Sequence, residues 1–105
     1  MAHNDSIFQN AVENKAREEL REPPFYRVLL HNDDYTTMDF VVMILETVFH
    51  KNTEEATRIM LNVHHRGIGV AGRYTREIAE TKVAIVHRTA RRNQFPLRCS
   101  LEKDE

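Results

Sequence analysis

Between Phe25 and His31 the chain places Tyr26, Val28 and Leu30 on one side and Phe25, Arg27, Leu29 and His31 on the other. A period of two built from aromatic and aliphatic residues marks a β-strand, and its apolar content predicts cover on most of both faces. The pattern breaks at Asn32-Asp33-Asp34. Beyond it Met38, Val41, Val42, Leu45, Val48 and Phe49 recur at the spacing of a helix face, with Thr37 placed to cap the helix and Asp39 near its positive end. A second helix follows, capped by Asn52 or Thr53, with Glu55 three residues after Asn52 completing a capping box. Its inward stripe is Ala56, Ile59, Met60 and Val63, continued by His64. Gly67, Gly69 and Gly72 then punctuate Ile68, Val70, Ala71 and Tyr74, which reads as a short strand or hairpin with bulges. Thr75 caps a third helix with Ala79, Val83, Val86 and Ala90 inward. Leu97, Cys99 and Leu101 alternate in a last strand after Pro96. The order β-α-α-β-α-β predicts an α+β domain, three helices packed on one face of a small three-stranded antiparallel sheet.

Composition sets the boundaries of this domain. Residues 1–22 are rich in Asn, Glu, Lys and Arg and end at Pro23-Pro24, so they are expected to form a flexible N-terminal extension to a domain spanning 23–105. A chain of 105 residues can bury one core without staples. The single Cys99 forms no internal disulfide, and neither a signal peptide nor a membrane-spanning run is visible, so a reducing cytoplasm is the expected location.

The net charge of -1 hides an asymmetry. Arg66, Arg73, Arg76, Lys82, Arg88, Arg91, Arg92 and Arg98 face only Glu77 and Glu80 within the same stretch. A solvated helix face with cations toward its C-terminal end accounts for this. The alternative is a nucleic-acid-binding module using Arg66 to Arg98, although no stacking aromatics are interleaved with the charges.

Asn32, Asp33 and Asp34 carry more polarity than a turn requires. Their oxygens suit a hard cation, but the spaced ligands of a calcium loop are missing, and His64 and His65 project about 100° apart on a helix. No metal and no cofactor are expected. The glycines lack the Lys-Ser/Thr ending of a phosphate loop, Cys99 sits in an apolar alternation, and adjacent Asp33 and Asp34 cannot flank one substrate bond. A binding module is therefore expected rather than an enzyme. Met60, Val63 and His64 on one helix, with Met38 and Val41 on another, would form an apolar hole if the polar hinge lay beside them, and Met adapts to several apolar shapes.

Four stretches carry a more specific signal: Asn-Asp-Asp-Tyr-Thr at 32–36, Met-Leu-Asn-Val-His at 60–64, Ala-Glu-Thr-Lys-Val-Ala at 79–84 and Pro-Leu-Arg-Cys-Ser-Leu-Glu-Lys at 96–103. In these, from about Pro23 to Lys103, the chain resembles the ClpS family, adaptors that deliver substrates to the Clp AAA+ protease. The resemblance implies recognition of N-degrons, proteins that begin with Leu, Phe, Tyr or Trp. By position it places Asn32, Asp33 and His64 on the free α-amino group, and Asp34 and Thr36 on the turn or the peptide backbone. Met38, Val41, Met60, Val63 and Leu97 would line the pocket for the first side chain, with Met38 disfavouring β-branched Ile and Val. Glu77 and Lys82 would contact the N-terminal domain of a Clp-type unfoldase, and residues 1–22 match the extension that engages it during handover. The implied partners are that unfoldase and N-degron peptides and proteins, with no membrane and no nucleic acid, and the adaptor itself a monomer. Thr37 stands where the family often has Pro, which loosens the hinge, and Ala71 replaces a frequent Cys.

Overall fold

β1 (Phe25–His31) is the middle strand of the sheet, flanked on both sides by antiparallel partners. The computed structural model describes residues 23–104, so the expected extension 1–22 lies outside the described residues. The remaining elements are α1 (Met38–Thr47), α2 (Thr53–Arg66), β2 (Ile68–Thr75), α3 (Arg76–Arg92) and β3 (Arg98–Lys103). Sheet order is β2-β1-β3, and the chain follows the expected β-α-α-β-α-β sequence.

The period of two in β1 sorts its side chains. Val28 and Leu30 are fully buried in a core shared with Phe40, Ile44 and Leu45 of α1, Ala56 and Ile59 of α2, and Ala79, Val86 and Ala90 of α3. Leu30 pairs with Cys99, and burial pushes the Cys99 thiol up to about 12, so it behaves as an inert apolar residue.

β1 is covered on most of both faces, as expected, but the two covers differ. On the second face Leu29 is buried between Val70 and Ser100, but its neighbours are ionic: Arg27 meets Glu102 at 2.5 Å and Asp104 at 3.8 Å, and Arg73 also pairs with Asp104. Opposed charges across adjacent strands favour this face without a helix above it.

Local sequence sets the helix ends. Thr37 Oγ1 accepts from Phe40 N at 3.1 Å, and Asn52 Oδ1 accepts from Glu55 N at 2.8 Å. Each such cap is worth about 1 kcal/mol. The Glu55 carboxylate faces Lys51 and Arg58. Thr75 holds the N-cap position of α3 without a side-chain cap bond, a departure from its expected role. Gly67 ends α2 at φ 86°, a left-handed conformation that glycine adopts without a Cβ penalty. The bulge expected among the glycines lies in β2, where the pairing with β1 skips Ala71 between Gly72 and Val70. At Gly69 a Cβ would stand 2.7 Å from Val63 Cγ2, so the missing side chain is what lets β2 lie against α2.

Candidate functional site

The hinge between β1 and α1 is organised by Asp33. Its Oδ1 accepts from Tyr35 N at 2.8 Å and Thr36 N at 2.7 Å, and its Oδ2 accepts from Thr36 Oγ1 at 2.7 Å. Burial raises the carboxyl pKa, but the three bonds from Thr36 and Tyr35 outweigh it and hold Asp33 below its usual value. An ionised carboxylate offers about four acceptor positions, so one direction on Oδ2 remains free for a donor from outside. Bracing the turn therefore falls to Asp33 and Thr36. Asp34, expected to share that work, makes no side-chain hydrogen bond among the described residues and is exposed.

A second contact fixes where the hinge lies. Asn32 N donates to Gly67 O at 2.9 Å, which draws the end of β1 against the C-terminus of α2. The same helix end presents Met60, Val63 and His64. Between the two segments lies a cavity of about 410 Å³ whose walls include Asn32, Asp33, Met38, Val41, Met60, Val63 and His64. Val41, Met60 and Val63 are buried and form an apolar floor, Met38 is 44 % exposed at the mouth, and Asn32 and His64 are exposed at the rim. An apolar hollow of this size with a few convergent polar groups suits a small apolar moiety carrying a hydrogen-bond donor.

Ten of the sequence-selected residues divide clearly. Asn32, Asp33, Asp34, Thr36, Met38, Val41, Met60, Val63 and His64 all line this cavity. Leu97 does not: it is buried at 4 % exposure and faces a separate depression with His87, Ala90, Phe95 and Pro96. Tyr35 and Thr37 also line the cavity and carried no site assignment in the sequence reading. The Asp-x-x-Thr spacing of Asp33 and Thr36 was the available sign that Tyr35 would be thrown outward, where it is 77 % exposed.

Glu77 and Lys82 lie elsewhere, in the first turns of α3, along a depression that also includes Ile78, 48 % exposed, and Ile85. Lys82 Nζ donates to Val48 O at 2.6 Å and sits 5.6 Å from the Tyr74 ring centroid, so it also ties α3 to the end of α1.

Comparison with known proteins bears directly on this arrangement. The family model of the ATP-dependent Clp protease adaptor protein ClpS matches residues 21–100. The chain belongs to the ClpS family. It is 67% identical over 86 residues to the ClpS of Desulfotalea psychrophila, covering 82% of this chain and 84% of that one. It is 52% identical to the ClpS of Desulforapulum autotrophicum over 104 residues, 99% of this chain and 100% of the other. Among solved structures, ClpS2 of Agrobacterium tumefaciens bound to L-phenylalaninamide superimposes with a TM-score of 0.76 at 35% identity, covering 79% of this chain and all of that one. The ClpS fold, with its three helices and antiparallel sheet, is thus the fold of this chain, and adaptor work for a Clp protease is its family's role. Among the described residues no helix is long and apolar enough to cross a membrane, and no cluster of three or more metal-ligating side chains occurs.

Proposed function

We propose that this ClpS-family adaptor binds the first residue of N-degron substrates in the hinge cavity and hands them to a Clp AAA+ unfoldase. The observation that carries this reading is the junction of an apolar floor, Val41, Met60 and Val63, with an acceptor-rich rim, Asn32, Asp33 and His64, in a single hollow. A free α-amino group has a pKa near 8 and is mostly cationic at neutral pH, so it seeks oxygen acceptors and a carboxylate. The open position on Asp33 Oδ2, the Asn32 carbonyl and a ring nitrogen of His64 supply three. The first side chain, Leu, Phe, Tyr or Trp, fills the apolar space, worth about 1.5–3 kcal/mol for a Leu- or Phe-sized group. Met38 at the mouth crowds a branch at Cβ and so selects against Ile and Val. The relative whose structure is bound to L-phenylalaninamide, an aromatic residue with a free amine, agrees with this chemistry.

Binding rather than bond-breaking is the role assigned to the site. Its acceptors are turned to the turn backbone and the ligand amine, and the chain's lone thiol lies in the core. Glu77 and Lys82, beside exposed Ile78, are assigned to the unfoldase N-terminal domain, and the cavity is left clear of that contact. Residues 1–22 are assigned to handover. The nucleic-acid reading of Arg66 to Arg98 has less support, because Arg73 pairs with Asp104, Arg76 with Glu80, and Lys82 with a backbone carbonyl.

Calorimetric titration of a peptide beginning with Leu or Phe against the same peptide N-acetylated tests the reading. Charge-assisted bonds contribute about 1.5–3 kcal/mol, so acetylation is expected to weaken binding about 10- to 150-fold. Equal affinities would overturn amine recognition at this site.

A further inference from the structure

Opposite the hinge cavity, on the other flank of α2, lies a larger cleft of about 460 Å³ between that helix and β2. β2 is an outer strand of the sheet, so one of its edges has no strand partner among the described residues. Ile68 and Val70 of this edge are 40 % and 43 % exposed. The helix side contributes Lys51, Arg58 and Arg66 against the single carboxylate of Glu55, and the strand contributes Arg73, which pairs with Asp104. Glu55 answers only Lys51 and Arg58, at 3.8 and 3.6 Å. Arg66 is exposed and has no ion pair among the described residues.

We propose that this cleft is a second docking site, one that takes an extended, acidic polypeptide segment added as a strand along the free edge of β2. Strand addition supplies main-chain hydrogen bonds, and pockets or charges beside the edge choose the sequence. Here the strand edge carries exposed Ile68 and Val70 while the helix wall beside it is cationic at Arg58 and Arg66, which matches a strand with small apolar and acidic side chains in alternation. The same charges, with the bulge at Ala71, make the edge a poor partner for another copy of this chain, because like cations would then face one another. A nucleic acid fits less well: the cleft offers no aromatic face for bases, and Glu55 stands among its cations. The cleft is independent of the amine cavity, since Ile59, Asn62 and Arg66 project to one flank of α2 and Met60 and His64 to the other.

The test is a nuclear magnetic resonance titration of the full chain with an N-acetylated, C-amidated peptide of alternating Glu and Val, roughly six residues long, a usual strand length. Acetylation keeps the probe out of the hinge cavity. The expected result is a shift of backbone amides from Ile68 to Arg73, slower hydrogen exchange along β2, and no change at Asn32 to Met38. Affinity should fall as salt is added, and R58E/R66E should weaken it at least tenfold while leaving the melting temperature and binding of a Leu-first peptide in place. Equal binding of the corresponding Lys-Val peptide, or no shift in β2, would overturn the proposal. So would tighter binding of a single-stranded oligothymidylate at the same amides. In the full chain, E18Q/E19Q tests the remaining occupant: if it shifts β2 amides with no peptide present, the cleft holds the chain's own N-terminal segment and the partner proposal fails.

Discussion

The two flanks of α2 make cavities of similar size, about 410 and 460 Å³, from the same helix, yet their chemistry is opposite. One has a buried apolar floor and a rim of oxygen acceptors. The other has exposed aliphatic side chains on a strand edge and a wall of cations. Volume therefore says little about the ligand, and the charge and depth of the lining say most of it. Depth also separates them energetically: groups that line a deep hollow leave water when a ligand enters, whereas surface cations stay solvated and act at a distance screened by salt.

The harshest way to break this comparison is Gly69→Val. The new side chain would collide with Val63, which lines one cavity, beneath Ile59, which lines the other. Overpacking of this kind costs about 1–3 kcal/mol, and a domain of this size loses roughly 4–8 °C of Tm per kcal/mol. Thermal melts and both peptide titrations should deteriorate together, and damage confined to one flank would show that α2 does not couple them.

Asp33→Ala should come next and should touch the hinge alone. It removes three turn bonds and the ligand carboxylate, so affinity for a Leu-first peptide is expected to fall about 10- to 100-fold, with some loss of stability. Thr36→Val removes only the bond to Asp33 Oδ2 and should weaken the turn while keeping the carboxylate. A smaller loss in this variant than in Asp33→Ala, read by calorimetry, separates bracing from direct recognition. Equal losses would assign Asp33 a bracing role only.

Titration with pH sharpens the same point. The Asp33 carboxyl is depressed in the folded protein, so its contribution is complete above the unfolded carboxylate pKa and disappears as pH falls through the lower folded value. Leu-first binding should therefore decline in acid as Asp33 takes up its proton, below the ordinary carboxylate value of about 4. Above about 8 the ligand amine loses its proton, and affinity should fall toward tenfold per unit. A profile flat to high pH would mean that the amine is bound uncharged.

Met38→Ala should give the smallest effect on the preferred ligand, a few-fold at most, because Met38 is half exposed at the mouth. Its expected signature is selectivity: an Ile-first peptide should gain affinity relative to a Leu-first one. Continued rejection of the Ile-first peptide would remove Met38 as the gate.

Most of the architecture was legible because local and global signals agree in this chain. The period of two in β1, the Thr37 and Asn52 caps, and the apolar stripes of the helices each specify an element that the packed core then uses. That ion pairs rather than a helix cover the outer face of β1 was not legible, since Leu29 reads as a core residue in either surrounding. Nine cavity residues were picked from the hinge and from α2, where short-range spacing fixes direction. Leu97 is not among the walls of that cavity, and its direction depends on how the chain passes from α3 to β3, with Gln94 at φ 62° and Phe95 against Phe40, a path that no period encodes. The basic cleft was hidden for a related reason. Lys51 comes from the connection before α2, Arg58 and Arg66 from α2 and Arg73 from β2, and only the close approach at Gly69 gathers them.

The hydrogen bond from Asn32 N to Gly67 O makes the length of α2 a ruler. Because the hinge is pinned to the helix terminus, a ligand meets two walls already at their working separation, and the ordering cost falls on folding instead of on capture. One residue added to or removed from α2 would turn its side chains by about 100°. The amine site and the cleft would lose their registration in the same stroke, so this helix is expected to vary in composition far more freely than in length.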